Sequence, residues 1–176
     1  TRLSDLFDAE PDKVREYPEL AVAFAVAEPM QFYRVIEKPT TPLEGFRFYT
    51  DSDNRFRYDL KKMPFEISQY LADTRLSLAE RKWAQRYYGR RRDPARSYFH
   101  VEYDYDHYEK NEPKKISKVE YTLPNLKRVG GVCIDQAYYA AQICKSVGIP
   151  ATIVTGKGKS GIGHAWVAAL EISRKG

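Results

Sequence analysis

Residues 130–137 read Gly-Gly-Val-Cys-Ile-Asp-Gln-Ala, and this stretch with the segment that follows it decides the fold. From Cys133 to Val147, small and apolar side chains recur at the spacing of one helix face. That face consists of Cys133, Ala137, Ala140, Ala141, Cys144 and Val147. Gly148 then stops the helix, and Pro150 prevents it from resuming. The pattern predicts a helix over residues 133–147 that starts at Cys133.

Two strand-like segments follow this helix and are separated by a loop. Residues 151–155 are rich in β-branched side chains, residues 156–163 are rich in Gly, Lys and Ser, and residues 164–172 are mostly apolar. We therefore expect His164 to open a strand that lies beside the start of the helix.

The position of Cys133 suits a nucleophile. A helix N-terminus carries free N–H groups that favour a thiolate. The two glycines before it let substrate and backbone approach closely. The backbone of Gly131, Val132 and Cys133 is the predicted oxyanion site, with the Cys133 N–H aimed at the forming oxyanion. His164 is the candidate base.

Three segments together resemble the transglutaminase-like superfamily: residues 130–137, residues 148–151 (Gly-Ile-Pro-Ala) and residues 163–167 (Gly-His-Ala-Trp-Val). The resemblance implies an α+β, papain-like core in which a helix carrying Cys packs on an antiparallel sheet. It also implies Cys133 as nucleophile and His164 as general base of a cysteine-dependent amide hydrolase or acyl transferase. The thioester intermediate would pass to water or to an amine. The implied substrates are peptides or proteins, and no cofactor is implied.

The third catalytic residue of that family has no match in the sequence. The only acid after His164 is Glu171, which an extended strand places on the opposite face. Glu171 would also lie ~23 Å from His164 along the strand, at about 3.3 Å per residue. We therefore expect the core to be cut short at its C-terminal end. A catalytically inactive binding module with the same fold is the alternative function.

The chain is predicted to consist of a mainly helical extension over residues 1–76 and the core over residues 77–176. Ser77 and Glu80 form a capping-box pattern at the start of a helix that should end near Gly89. A helix is also expected to begin at Pro18, and another after Pro64. The remaining expectations are a loop over 39–53 with a short strand at 46–49, a strand or extended segment at 98–105, and a short helix at 119–128.

Other side chains have less specific interpretations. Tyr103, Tyr105 and Trp166 are candidates for lining a substrate groove. Cys144 is a core residue ~16 Å from Cys133 along a continuous helix at about 1.5 Å per residue, too far for a disulfide. Two free thiols suit a reducing compartment such as the cytoplasm, although an upstream signal or anchor stays open. The oligomeric state is not predicted.

Composition and spacing weigh against several other classes of protein. The 176 residues carry a net charge of +5 and are 43% hydrophobic, and the longest apolar run, residues 20–27, is too short to cross a bilayer. Cys and His spacings match no metal site. A basic run beside aromatic residues suggests a nucleic-acid binder as a third function, but a solvated charged face is the favoured reading. That run contains Arg86, Arg90, Arg91, Arg92 and Arg96.

Overall fold

The computed structural model describes residues 1–28, 39–74, 76–159 and 161–171. The α-helices of these residues are α1 (Arg2–Ala9), α2 (Pro11–Glu16), α3 (Pro18–Val26), α4 (Pro42–Thr50), α5 (Phe65–Ala72), α6 (Leu78–Tyr88), α7 (Tyr105–Glu109), α8 (Leu123–Val129) and α9 (Cys133–Ser146). Short 3₁₀ helices span Leu60–Lys62, Pro94–His100 and Lys115–Lys118, and the strands are β1 (Ala151–Lys157) and β2 (Gly163–Ala169). No helix in the described part of the chain is both long and apolar enough to cross a membrane.

Helix α9 is the centre of the fold. It begins at Cys133, as predicted, and all but one of its residues are buried. The sheet, α6, α8 and the 3₁₀ helix Pro94–His100 all pack against it. Gly148 follows the helix with φ +79°, a backbone conformation that favours glycine. The small side chains of α9 explain why so many elements can approach it closely.

Strands β1 and β2 form an antiparallel pair that covers one side of α9. Ala151 pairs with Ala169 at one end, and Gly156 pairs with His164 at the other. Because side chains alternate along a strand, Ile153 and Ala165 face the helix, and the residues next to them face away. This arrangement confirms the α+β fold with the Cys-bearing helix on an antiparallel sheet. The predicted strand end, Ile172, lies outside the described residues, and β2 ends at Ala169.

The N-terminal helices enclose a hydrophobic cluster of their own. Leu20 and Phe24 of α3 pack there with Phe46 and Tyr49 of α4 and with Leu71 of α5. Helices α3, α5 and α6 begin where the sequence predicts them, at Pro18, just after Pro64 and just after Ser77. The division of the chain at residue 77 stays a prediction.

The sequence prediction for residues 39–53 was wrong. Residues Pro42–Thr50 form α4 rather than a loop with a short strand. The Thr41 side chain accepts a hydrogen bond from the Glu44 N–H, and the Glu44 carboxylate accepts one from the Thr41 N–H. This capping box, with Pro42 at the first turn, starts a helix despite the helix-weakening Gly45.

Two other segments also differ from the sequence prediction. Of the segment 98–105, residues 98–100 belong to the 3₁₀ helix Pro94–His100, whereas the backbone after it is extended and makes a single parallel bridge, between Tyr103 and Gly131. Helix α8 begins at Leu123 instead of residue 119, because Thr122 caps it and Pro124 lies in its first turn, where proline is tolerated.

Candidate active site around Cys133

Cys133 is the first residue of α9 and is 8% exposed. Gly130 turns the chain toward it with φ +88°. A Cβ on Gly131 would lie 2.5 Å from the Cβ of Asp135, so this position requires glycine. The two glycines therefore fix the path of the backbone into the helix.

Asp135 holds the start of the helix from inside the protein. Its side chain is completely buried, and its Oδ2 accepts a hydrogen bond of 3.0 Å from the Val132 N–H. The Tyr121 hydroxyl donates to Oδ1 at 2.9 Å, and the Lys114 ammonium lies 3.4 Å from Oδ2. A buried carboxylate needs such partners to offset its lost hydration. Asp135 thus fixes the turn that carries Cys133.

Two of the three predicted backbone donors already have acceptors. The Gly131 N–H donates to the Glu102 carbonyl at 2.9 Å, and the Val132 N–H donates to Asp135. Residues in the first turn of a helix have no intrahelical acceptor for their N–H groups. Of the three, Cys133 is therefore the candidate oxyanion donor.

Two tyrosines flank Cys133. Tyr98 and Tyr103 pack with Cys133 and Ala165, and the Tyr98 hydroxyl donates to the Ala165 carbonyl at 3.0 Å. Lost hydration, then Tyr108 and Cys133, raise the pKa of Tyr103 to about 12. The pKa of Tyr98 is raised by lost hydration and by Cys133. Both phenols are therefore neutral donors at physiological pH.

The predicted groove residues Tyr103 and Tyr105 lie together on the Cys133 side. Their ring centroids are 4.9 Å apart, and Tyr105 is 62% exposed. The ring of Tyr108 stacks on Tyr103 from 6.2 Å. The exposed edge of this group forms an aromatic surface next to the sulfur.

His164 does not meet Cys133 in the structure. Ala165 packs with Cys133, and the neighbouring His164 is exposed on the opposite, open face of the sheet. There its ring stacks on Trp166 with centroids 6.0 Å apart. No hydrogen bond joins Cys133 and His164 in the described part of the chain. Trp166, the third predicted groove residue, thus accompanies His164 and not the two tyrosines.

The other residues that the sequence analysis considered are Glu171 and Cys144. Glu171 is exposed beyond the end of β2. Cys144 is fully buried, and lost hydration raises the pKa of its thiol to about 12. Both cysteines are free. Within the described ranges, no group of three or more His, Cys, Asp or Glu side chains is arranged to hold a metal ion.

Sequence reasoning missed Asp135 and Tyr98 as parts of this site. Asp135 stands three residues after Val132, the spacing of a helix-capping carboxylate, and that spacing was a usable signal. The sequence carries no such signal for Tyr98, because its approach to Ala165 depends on how distant segments of the chain pack.

The site thus consists of an almost buried cysteine that begins a helix packed on an antiparallel sheet. The sequence model of the transglutaminase-like superfamily matches residues 81–171, and the chain belongs to this superfamily. A search of curated proteins found no match.

One similar solved structure is that of a candidate cysteine protease from Cytophaga hutchinsonii, with 19% sequence identity and a TM-score of 0.46. The similarity covers 66% of this chain and 42% of that one, so the chain spans less than half of that protein's length.

Proposed function

We propose that the chain is a cysteine-dependent amide hydrolase or acyl transferase in which Cys133 is the nucleophile. The observation that carries this proposal is the position of Cys133 at the first turn of α9. Its sulfur lies where unpaired helix N–H groups favour a negative charge. The match to the transglutaminase-like superfamily supports the same assignment.

The proposed reaction has two steps. The Cys133 thiolate attacks a carbonyl carbon, a C–S bond forms, and the C–N bond breaks as the amine leaves with a proton. Water or a second amine then attacks the thioester and releases Cys133. The Cys133 N–H is the proposed donor to the oxyanion formed in each step.

His164 is the proposed source of the proton, although its ring lies on the open face of the sheet. His164 is exposed and is the second residue of β2, so the proposed turn opens only the pairing with Gly156 and Lys157 at the end of the sheet. Turning at this residue would bring the imidazole to the Cys133 side of the strand. The proposed substrates are peptides or proteins, held against the rings of Tyr103 and Tyr105.

The test uses p-nitrophenyl acetate, whose ester carbonyl replaces the amide. We expect p-nitrophenolate release with an acetyl group on Cys133, detected by peptide mass spectrometry and removed by hydroxylamine. C133A should lose the acetyl group, whereas C144A should keep it. Acetylation spread over lysines, and equal in C133A, would contradict the proposal.

A non-catalytic binding module is the second candidate function, and the separation of His164 from Cys133 favours it. In that case the acetyl group would stay on Cys133 without turnover, and H164Q would not change any rate. A slower acylation in H164Q than in the wild type would instead support His164 as the base.

A further inference from the structure

A cleft lies on the side of the 3₁₀ helix Pro94–His100 that faces away from Cys133. It has no part in the proposed reaction. Its volume is about 440 Å³, within the range of about 300–1,000 Å³ usual for small-molecule sites. Its lining includes three arginines, one acid, a phenylalanine and a histidine: Arg91, Arg92, Arg96, Asp93, Phe99 and His100. We call this site the arginine cleft.

The charges of the arginine cleft are unbalanced. In the part of the chain that the structure describes, no salt bridge joins Arg91, Arg92 or Arg96 to a carboxylate. Asp93 is the only acid in the lining, so three guanidinium groups face one carboxylate. Guanidinium groups bind phosphate oxygens through paired, charge-assisted hydrogen bonds. This excess of positive charge suits a phosphate group.

The backbone of the cleft is held in place by a residue from outside it. The Arg57 guanidinium donates to the Arg91 carbonyl at 2.9 Å and also to the Arg92 carbonyl. These bonds fix the turn between α6 and the 3₁₀ helix, so that the side chains of Arg91 and Arg92 start from a defined position. A fixed backbone lowers the entropic cost of binding a ligand.

His100 is held by a chain of hydroxyl groups that begins in the core. The buried Tyr139 hydroxyl lies 2.8 Å from that of Tyr88, which lies 3.0 Å from the Nδ1 of His100. In the described residues no partner is bonded to the Nε2 of His100. Nε2 therefore remains available to a ligand in the cleft.

Phe99 supplies the apolar part of the cleft. Its ring is 75% exposed, and it contacts Tyr98 edge-on with centroids 5.2 Å apart. An exposed aromatic ring beside cationic groups is the arrangement that proteins use to stack a nucleobase and bind its phosphate.

We propose that the arginine cleft binds a nucleotide, taken either free or as one unit of a nucleic-acid strand. The guanidinium groups and His100 bind the phosphate, and Phe99 stacks on the base. This site is distinct from Cys133, because Tyr98 faces the Cys133 side whereas Phe99 and His100 line the cleft.

The experiment measures binding of adenosine monophosphate, inorganic phosphate and a fluorescent 15-nucleotide oligothymidylate to the full chain. The double variant R91Q/R96Q should weaken binding about tenfold or more, the effect of losing one charge-assisted hydrogen bond. The control R86Q/R90Q removes the same charge from exposed arginines outside the cleft lining and should change the affinity less than about twofold.

F99A separates base stacking from phosphate binding. We expect it to weaken binding of adenosine monophosphate about tenfold and to leave that of inorganic phosphate unchanged. Tight binding of adenosine monophosphate identifies a free nucleotide as the ligand, whereas binding of the oligonucleotide alone, lost in R91Q/R96Q, identifies a strand. The proposal is overturned if neither adenosine monophosphate nor the oligonucleotide binds, or if R91Q/R96Q and R86Q/R90Q weaken binding equally. All substituted residues are exposed, and thermal melting will confirm that the variants fold.

Discussion

At the scale of single residues, the two cysteines of α9 have very different surroundings. Cys133 lies at the helix start next to the half-buried Tyr98 and Tyr103, whereas Cys144 is fully buried. With the Cys144 pKa raised to about 12, only about one molecule in ten thousand carries its thiolate at pH 8. The same chemical group is therefore held protonated near one end of the helix, and we propose that it reacts at the other.

We predict that iodoacetamide at pH 8 modifies Cys133 and leaves Cys144 unmodified. The thiolate is the reacting species, and Cys144 is both protonated and shielded from the reagent. Mass spectrometry of tryptic peptides measures the extent of modification of each cysteine over time. C133A should take up no label in buffer and one label in denaturant, and equal labelling of both cysteines in the native chain would contradict the prediction.

His100 has a perturbed titration that can also be measured. Lost hydration, and then the positive charges of Lys127 and Arg91, lower its pKa from the usual value. We predict that K127A raises the pKa of His100, because removing a nearby cation makes the imidazolium less unfavourable.

The pKa of His100 can be read from the pH dependence of its ring-proton NMR signal, assigned with H100Q. K118A is the matched control, since Lys118 is an exposed lysine that does not act on His100. The prediction fails if the wild-type pKa is at or above its usual value, or if K127A and K118A shift it equally.

At the scale of elements, the start of α9 depends on a close contact between Gly131 and Asp135. We predict that G131A destabilises the chain by about 2 kcal/mol, because its methyl group would have to displace a carboxylate held by several partners. G163A is the control, since a Cβ at Gly163 meets no atom within 4 Å. Urea denaturation measures both. A loss in G131A no larger than that in G163A would show that the turn yields easily.

Local signals in the sequence were sufficient for the central elements. The face of α9, its stop at Gly148 and the cap of α6 at Ser77 all depend on residues close in the chain. Helix α4 was missed because Gly45 and Pro42 suggested a loop, and the capping box of Thr41 and Glu44 outweighed them.

The candidate site was only partly predictable for a related reason. The position of Cys133 follows from the helix pattern, and the superfamily motif pointed to His164. The face of the sheet on which His164 lies depends on the register between β1 and β2, which places Ala165 against α9. Similarly, the arginine cleft requires Arg57 to meet a turn more than thirty residues away.

At the scale of the whole molecule, the N-terminal helices hold α9 near the end opposite Cys133. The Tyr49 hydroxyl donates to the Lys145 carbonyl at 2.8 Å, and Thr74 donates to Gln142 at 2.6 Å. The Lys145 ammonium pairs with Asp73 and donates to the Tyr70 carbonyl. Residues from both halves of the chain therefore share a buried polar network along the helix that begins with Cys133.

The ion pair between Lys145 and Asp73 should respond unequally to removal of its two partners. Lys145 is 1% exposed, and lost hydration lowers its pKa, whereas the Asp73 side chain keeps 19% of its exposure. We predict that D73N destabilises the chain by about 3 kcal/mol or more, because it leaves a buried ammonium without a counter-charge. K145M should change the free energy of unfolding by less than about 1 kcal/mol, since Asp73 can recover water and methionine fills the space.

Chemical denaturation of both variants and of D73N/K145M measures the difference, and the double variant should regain most of the stability lost in D73N. A loss in K145M as large as that in D73N would mean that the charge of Lys145 itself holds the two halves together.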